Sequence, residues 1–365
     1  MGQTLLQNKL SKLLQNAPKV QLGSITFTSP FVLAPMAAIG SAPFRLLMQR
    51  LGAGATVSEL ISCHGILYKN KMTLDMLRID PEEGPVGIQL FGETAEELAR
   101  AAQVAEDYGP KWIDLNMGCP VKKVVTKGGG AALLQRPEGL EDFFRTIRQS
   151  LKVPFTIKIR TGWDQDSRNA DLVLKMAQDA GVEFVAIHGR TRQQQYAGLA
   201  DWEYMEKARA AVSIPVIGNG DLHSPKALKQ TYQQRNFDAY MVGRGALRNP
   251  FIFAEGWRDF KNETPGEDIY SLFDGDDYWE IIQELRSIME KYIEQERIIQ
   301  IQLKKFLAWF STGFPHAVGF RTQVLNSQIL GDTWKYTEDY FLALAQNKEK
   351  KRIEFADSFM TSGHG

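Results

Sequence analysis

Eight short β-rich apolar runs alternate with amphipathic stretches along residues 31–242, and no other feature limits the possible folds as much. The runs cover residues 31–35, 56–59, 85–91, 112–116, 155–160, 184–188, 215–219 and 239–242. Between them, residues 94–108, 140–151, 170–180 and 202–210 carry a helical period. Strands separated by helices pair in parallel, and eight such units predict an α/β chain, a closed (β/α)8 TIM barrel. An open doubly wound sheet uses the same local pattern. Two details favour the barrel: the count of eight, and the polar residues at the strand ends, namely Gln89, Asn116, Lys158, His188, Asn219 and Arg244. In a barrel these ends converge on the C-terminal face, where active sites are built.

The pattern changes after Phe253. Residues 1–255 are read as the catalytic barrel domain, with residues 21–30 forming a short hairpin at its bottom. Residues 256–278, acidic and carrying Gly and Pro, read as a linker. Residues 279–350 have helical periodicity and predict a small helical-bundle domain of three or four helices. Residues 351–365 read as a disordered tail.

Lys plus Arg and Asp plus Glu both number 43, so a polyanionic partner must be met by local clusters rather than by net charge. The only cysteines, Cys63 and Cys119, form no disulfide framework and no metal-ligand spacing, which fits a reducing cytoplasm. Cys63 and His64 are neighbours in sequence, which usually point apart, so that pair is read as incidental. No apolar run is long enough to span a bilayer, and Leu6 stands where a myristoylation signal wants Ser or Thr. The expectation is a cytoplasmic protein, a monomer, with no membrane partner and no metal.

Cys119 lies in Asn116-Met117-Gly118-Cys119-Pro120, directly after the fourth run. A lone Cys is most often a small buried hydrophobe. A polar Asn, a Gly and a thiol fixed before Pro suit presentation at a barrel mouth better than a core. The seventh run ends Gly218-Asn219-Gly220-Asp221 and the eighth Val242-Gly243-Arg244-Gly245. Loops at these positions commonly cradle phosphate in barrels; glycine lets backbone N–H groups approach the anion and a guanidinium clamps it. Pro35-Met36-Ala37, Gln89 and Lys158 could hold a flat polar ring, with Met36 soft enough to pack on an aromatic face. Thr156, Lys158 and Arg160 share one face of their strand, unusually polar for a parallel sheet.

Taken together, the Asn116–Pro120 segment, Lys158-Ile159-Arg160-Thr161-Gly162-Trp163, His188-Gly189-Arg190-Thr191-Arg192 and the two glycine loops resemble the dihydrouridine synthase family. Tyr196, Gly198 and Asp201-Trp202 extend the resemblance. Members are flavoproteins that reduce the C5–C6 bond of uridines in tRNA. The stretch Lys304–Phe310 is similar to the helical-domain motif of the bacterial B-type enzymes, with Phe306 and Phe310 where His and Tyr are common.

The resemblance implies FMN across the barrel mouth, reduced by NADPH. Pro35, Met36 and Ala37 would pack at its ring, Gln89 would bond its pyrimidine edge, and Lys158 would meet its N1/O2 side. Asn219, Gly220, Asp221, Gly243 and Arg244 would hold the phosphate, with His188 nearby. Asn116 and Arg160 would position the uracil, which takes hydride at C6, and Cys119 would give the proton to C5. The role needs a neutral thiol, and an unperturbed thiol is mostly protonated at neutral pH. Lys122, Lys123, Arg190 and Arg192 would follow the RNA backbone. A barrel oxidoreductase of a free small molecule, like the dihydroorotate or dihydropyrimidine dehydrogenases, shares the barrel and the phosphate loops. It does not predict the added helices or Lys122-Lys123 beside the thiol.

Overall fold

The computed structural model describes residues 4–260, 269–346 and 352–354. Eight parallel strands close into a barrel: β1 (Phe31–Leu33), β2 (Ala55–Ser62), β3 (Val86–Phe91), β4 (Trp112–Met117), β5 (Phe155–Arg160), β6 (Val185–His188), β7 (Val216–Asn219) and β8 (Ala239–Val242). The strands pair in sequence order, and β8 closes on β1 through Tyr240↔Phe31. The doubly wound alternative is thereby excluded. A separate antiparallel hairpin, Val20–Leu22 with Ile25–Phe27, plugs the N-terminal end. Its Phe27 packs on Trp112 and Phe184 at ring separations of 5.5 and 5.8 Å. Gly87 makes room for this plug, because a Cβ there would come within 2.2 Å of the Trp112 ring.

Two apolar layers result. One fills the lower barrel, with Val32, Val57, Ala186, Ile217 and Met241 around the aromatic plug. The other lies between strands and helices and runs without a break into the C-terminal helices. The upper barrel is polar: Gln89, Asp114, Asn116, Thr156 and Arg160 are buried there. Pairing aligns Gln89 with Asp114, Asn116 with Lys158, and Arg160, His188 and Asn219 along one level.

Among the described residues, four helices of ten or more residues follow the barrel: Gly275–Tyr292, Glu296–Phe310, Ala317–Asn326 and Leu330–Gln346. The first begins before Trp279, inside the stretch read as linker. Asp274 caps it by accepting from the N–H groups of Asp276 and Asp277, so the acidic residues form a first helical turn. Ile269–Tyr270 pairs with Ile353–Glu354, giving the start of the tail a partner; residues 261–268 and 355–365 lie outside the described residues. Phe306 stacks on Phe44 at 4.9 Å and so seats the second helix on the barrel's first helix, Ala42–Arg50. Among the described residues no helix is long and apolar enough to cross a membrane.

Candidate active site

The strand ends enclose a cavity of about 560 Å³ at the C-terminal mouth. Pro35, Met36, Ala37, Gln89, Asn116, Cys119, Lys122, Lys158, Arg160, His188, Arg192, Asn219, Gly220, Asp221, Gly243 and Arg244 all line it. β4, which carries Cys119, and β8, which carries the Gly243-Arg244 loop, lie across the barrel from one another in the strand order. The thiol and the glycine loops therefore face one space from opposite sides.

Cys119 is held by a buried chain of side chains. The Asn116 carboxamide oxygen accepts from the Cys119 N–H at 2.9 Å and from the Gly118 N–H at 3.2 Å. Asn116 Nδ2 donates to Gln89 Oε1 at 2.8 Å, and Gln89 Nε2 donates to Asp114 Oδ2 at 2.7 Å. Thr156 Oγ1 donates to the other Asp114 oxygen at 2.5 Å. Burial pushes the Asp114 carboxyl up to about 6, against hydrogen bonds from Gln89 and Thr156 and the charge of Lys158. Burial also raises the Cys119 thiol, and a Val121 backbone bond and the Arg160 charge only partly offset it. Both the burial and the raised value favour the neutral thiol over the thiolate at this position.

Arg160 ties the Cys119 loop to the loop after β6. Its Nε donates to Gly118 O at 2.7 Å, and Nη1 donates to Thr191 O and Gln195 O at 2.8 and 2.9 Å. Tyr196 lies between two guanidinium groups, 6.0 Å from Arg160 and 4.5 Å from Arg244. Lys158 Nζ donates to Asn219 Oδ1 at 3.1 Å, and Asn219 Nδ2 donates to Met241 O at 2.7 Å. Burial and then the Arg160 charge lower Lys158 to about 8, against Asp114.

The far side of the cavity is strongly positive. His188 is held well below its ordinary value by burial and by the charges of Arg160, Lys158, Arg190 and Arg244. Of these charges Arg160, Lys158 and Arg244 line the cavity with His188, and they favour an anion there. Gly220 has a φ of +143°, and a Cβ there would meet Ala200 at 2.4 Å, so the turn after β7 needs glycine. This cradle fits a phosphate-bearing cofactor.

Two residues do not sit as the sequence suggested. Arg190 does not line the cavity: it is buried, pairs with Asp221 at 2.7 Å, and donates to the carbonyls of Ala197 and Gly198 at 3.2 and 2.5 Å. It braces its own loop and is not a surface contact for an RNA backbone. The Asp221 carboxylate is likewise committed, accepting from Ala200 N at 2.7 Å and lying 3.4 Å from His223. Burial alone would raise it, but His223, the Ala200 N–H and Arg190 hold it well below the carboxylate range. As an anion it would repel a phosphate, so its side chain shapes the turn. Lys122 and Lys123 are exposed on the helix Lys122–Val125, and Arg192 stacks on Trp163 at 4.5 Å.

Asp114 and Glu59 escaped the sequence reading. Asp114 interrupts an apolar run, and its place two residues before Asn116, on the same strand face, was the available signal. Glu59 Oε2 accepts the Ala38 N–H at 2.5 Å and so fixes the Met36 loop from β2.

Comparison with known proteins matches this architecture to one family. The pattern of the dihydrouridine synthase family matches residues 32–344. The chain is 35% identical to the tRNA-dihydrouridine synthase B of Xanthomonas axonopodis pv. citri, over 89% of this chain and 96% of that protein. It is 41% identical to the synthase B of Pseudomonas aeruginosa, over 65% and 71%. Among solved structures, histamine dehydrogenase from Rhizobium sp. 4-9 shares the barrel, with a TM-score of 0.52 and 14% identity; the match covers 67% of this chain and 47% of that one. The chain belongs to the dihydrouridine synthase family, flavin-dependent enzymes that reduce uridine in tRNA.

Proposed function

We propose that the cofactor is FMN, that NADPH is the electron donor, and that Cys119 is the general acid of the uridine reduction. The observation that carries this reading is a single cavity with the Cys119 thiol on one side and Arg244 with the Gly220 and Gly243 turns on the other. Arg244 and the N–H groups around Gly220 and Gly243 hold the phosphate, beside a neutral His188. Asn219 holds the Lys158 ammonium at the cavity wall, where it would compensate negative charge on a reduced flavin. Met36, with Pro35 and Ala37, supplies the apolar wall.

When bound and reduced, the flavin supplies hydride to C6 of the uracil. Negative charge then builds at C5 and the C4 carbonyl, and the Cys119 S–H protonates C5. The thiolate left behind regains its proton from solvent. Asn116 and Arg160 hold the Gly118–Cys119 peptide by its N–H and its carbonyl, so the sulfur meets the base with little freedom to lose. A uridine stacked in folded tRNA cannot reach a barrel mouth, so it enters extruded. Lys122, Lys123 and Arg192 at the rim meet the phosphodiester backbone, and the helices over residues 275–346 extend that surface. The protein works as a monomer in the cytoplasm.

Purified protein is expected to carry a flavin absorption spectrum and, with NADPH, to form dihydrouridine in tRNA but not in free uridine. Turnover on free dihydroorotate or uracil, with none on tRNA, would favour the small-molecule reading.

A further inference from the structure

Outside the cavity, four potential ligand side chains meet where two neighbouring strands end. β2 passes at Ser62 straight into the helix Cys63–Leu67, and β3 leads through Gly92 and Glu93 into the helix Ala95–Glu106. Ser62 pairs with Phe91, so the residues that follow each strand face one another. Cys63 Sγ, His64 Nε2 and one carboxylate oxygen each of Glu93 and Glu97 all lie within 4.8 Å of one another. His64 Nε2 is 3.1 Å from Glu93 Oε2 and 3.1 Å from Glu97 Oε2.

Two further observations separate this group from an ordinary acidic surface. Among the described residues no Lys or Arg forms an ion pair with Glu93 or Glu97; both carboxylates share one imidazole nitrogen. The sulfur beside them is buried and packs so closely on Gly92 that a Cβ there would lie 2.5 Å from it. Two carboxylates, an imidazole and a thiol are thus brought within reach of a single cation.

We propose that Cys63, His64, Glu93 and Glu97 bind a divalent transition metal, with zinc the best match. One sulfur, one imidazole nitrogen and two carboxylate oxygens make a four-ligand set in which each donor is of a type that zinc accepts. Bonds of about 2.3 Å to sulfur and about 2.0–2.2 Å to nitrogen and oxygen put tetrahedral ligands roughly 3.3–3.7 Å apart, so side-chain rotation closes the site. The Cys63 thiol gives its proton to solvent as the metal–sulfur bond forms, and no electrons move. His64, Glu93 and Glu97 are partly exposed, which provides an entry path. The metal clips together the connections after β2 and β3. Gly129 packs on Gly92 O, and Gly130 packs on Cys119 O, so the clip lies behind the loop that carries the general acid.

The test is titration of chelator-stripped, tag-free full chain with CoCl2 and then ZnCl2. About one Co²⁺ per chain is expected, with a sulfur-to-cobalt charge-transfer band and tetrahedral ligand-field bands that zinc abolishes. Cys63→Ser should lose the charge-transfer band and Cys119→Ala should keep it. The double variant Glu93→Gln/Glu97→Gln, altered only at partly exposed positions, should bind almost no metal and lose the zinc-induced rise in Tm. A featureless titration, or the same band in Cys63→Ser, overturns the site. So does a result in which no metal binds and His64→Ala changes only the pH profile of Tm; that identifies a plain His–carboxylate ion pair.

Discussion

The Asn116 side chain accepts the Cys119 backbone N–H at 2.9 Å, so the penultimate residue of β4 also fixes the loop that bears the thiol. Asn116 is itself held by Gln89, and Gln89 by Asp114, so the anchor of the proposed general acid reaches down into the barrel. Asn116→Ala cuts this chain at its upper link. Dihydrouridine formation should fall about 100-fold while flavin content and NADPH oxidation by a non-tRNA acceptor stay near wild type. A parallel loss of all three would mean that Asn116 serves the fold rather than the loop.

Lys158 gives the site a pH dependence whose sign follows from its lowered value of about 8. Below pH 8 the ammonium is charged in the free protein. Above it, flavin binding must first take up a proton, so affinity falls by up to about tenfold per pH unit. Fluorescence titration of the stripped protein with FMN between pH 7 and 9.5 should show this fall. Lys158→Met should bind more weakly at pH 7 and lose the slope.

Arg244 stacks on Tyr196 at the rim of the cradle, with its planar fork toward the cavity that Gly220 and Gly243 line. Arg244→Ala should weaken FMN about 10- to 100-fold, the weight of a charge-assisted bidentate contact. Riboflavin, which has no phosphate, should bind wild type and variant equally. Equal loss for both ligands would remove the phosphate assignment.

The exposed and buried basic residues should separate in salt titrations of tRNA binding. Lys122→Ala and Arg192→Ala should each reduce the slope of log K against log salt by about 0.7–0.9, as expected for one lost phosphate contact. Arg190→Ala should leave the slope unchanged but lower Tm, because its guanidinium is spent on Asp221 and two carbonyls.

The barrel was legible because each strand is a short apolar run with punctuation at both ends, and a buried parallel strand needs little else. The cavity wall was legible because polar groups at strand ends can face only one space once the barrel closes. Arg190 misled because it stands two residues from Arg192, and only the turn of that loop decides which is buried. The acidic residues before Trp279 read as linker because a first helical turn and a solvated loop share the same composition. Cys63 and His64 gave no signal because their partners, Glu93 and Glu97, lie one βα unit away. Strand pairing, not spacing, brings them together.

The central claim is that the Cys119 proton, rather than its sulfur as a nucleophile, completes the reduction. Its most direct test is rapid mixing of NADPH-reduced wild-type and Cys119→Ala protein with excess tRNA, following flavin reoxidation. The account predicts that the variant keeps its flavin and is reduced by NADPH at the wild-type rate, but is reoxidised by tRNA about 100- to 10,000-fold more slowly. Reoxidation of Cys119→Ala by tRNA at a rate near wild type would contradict it.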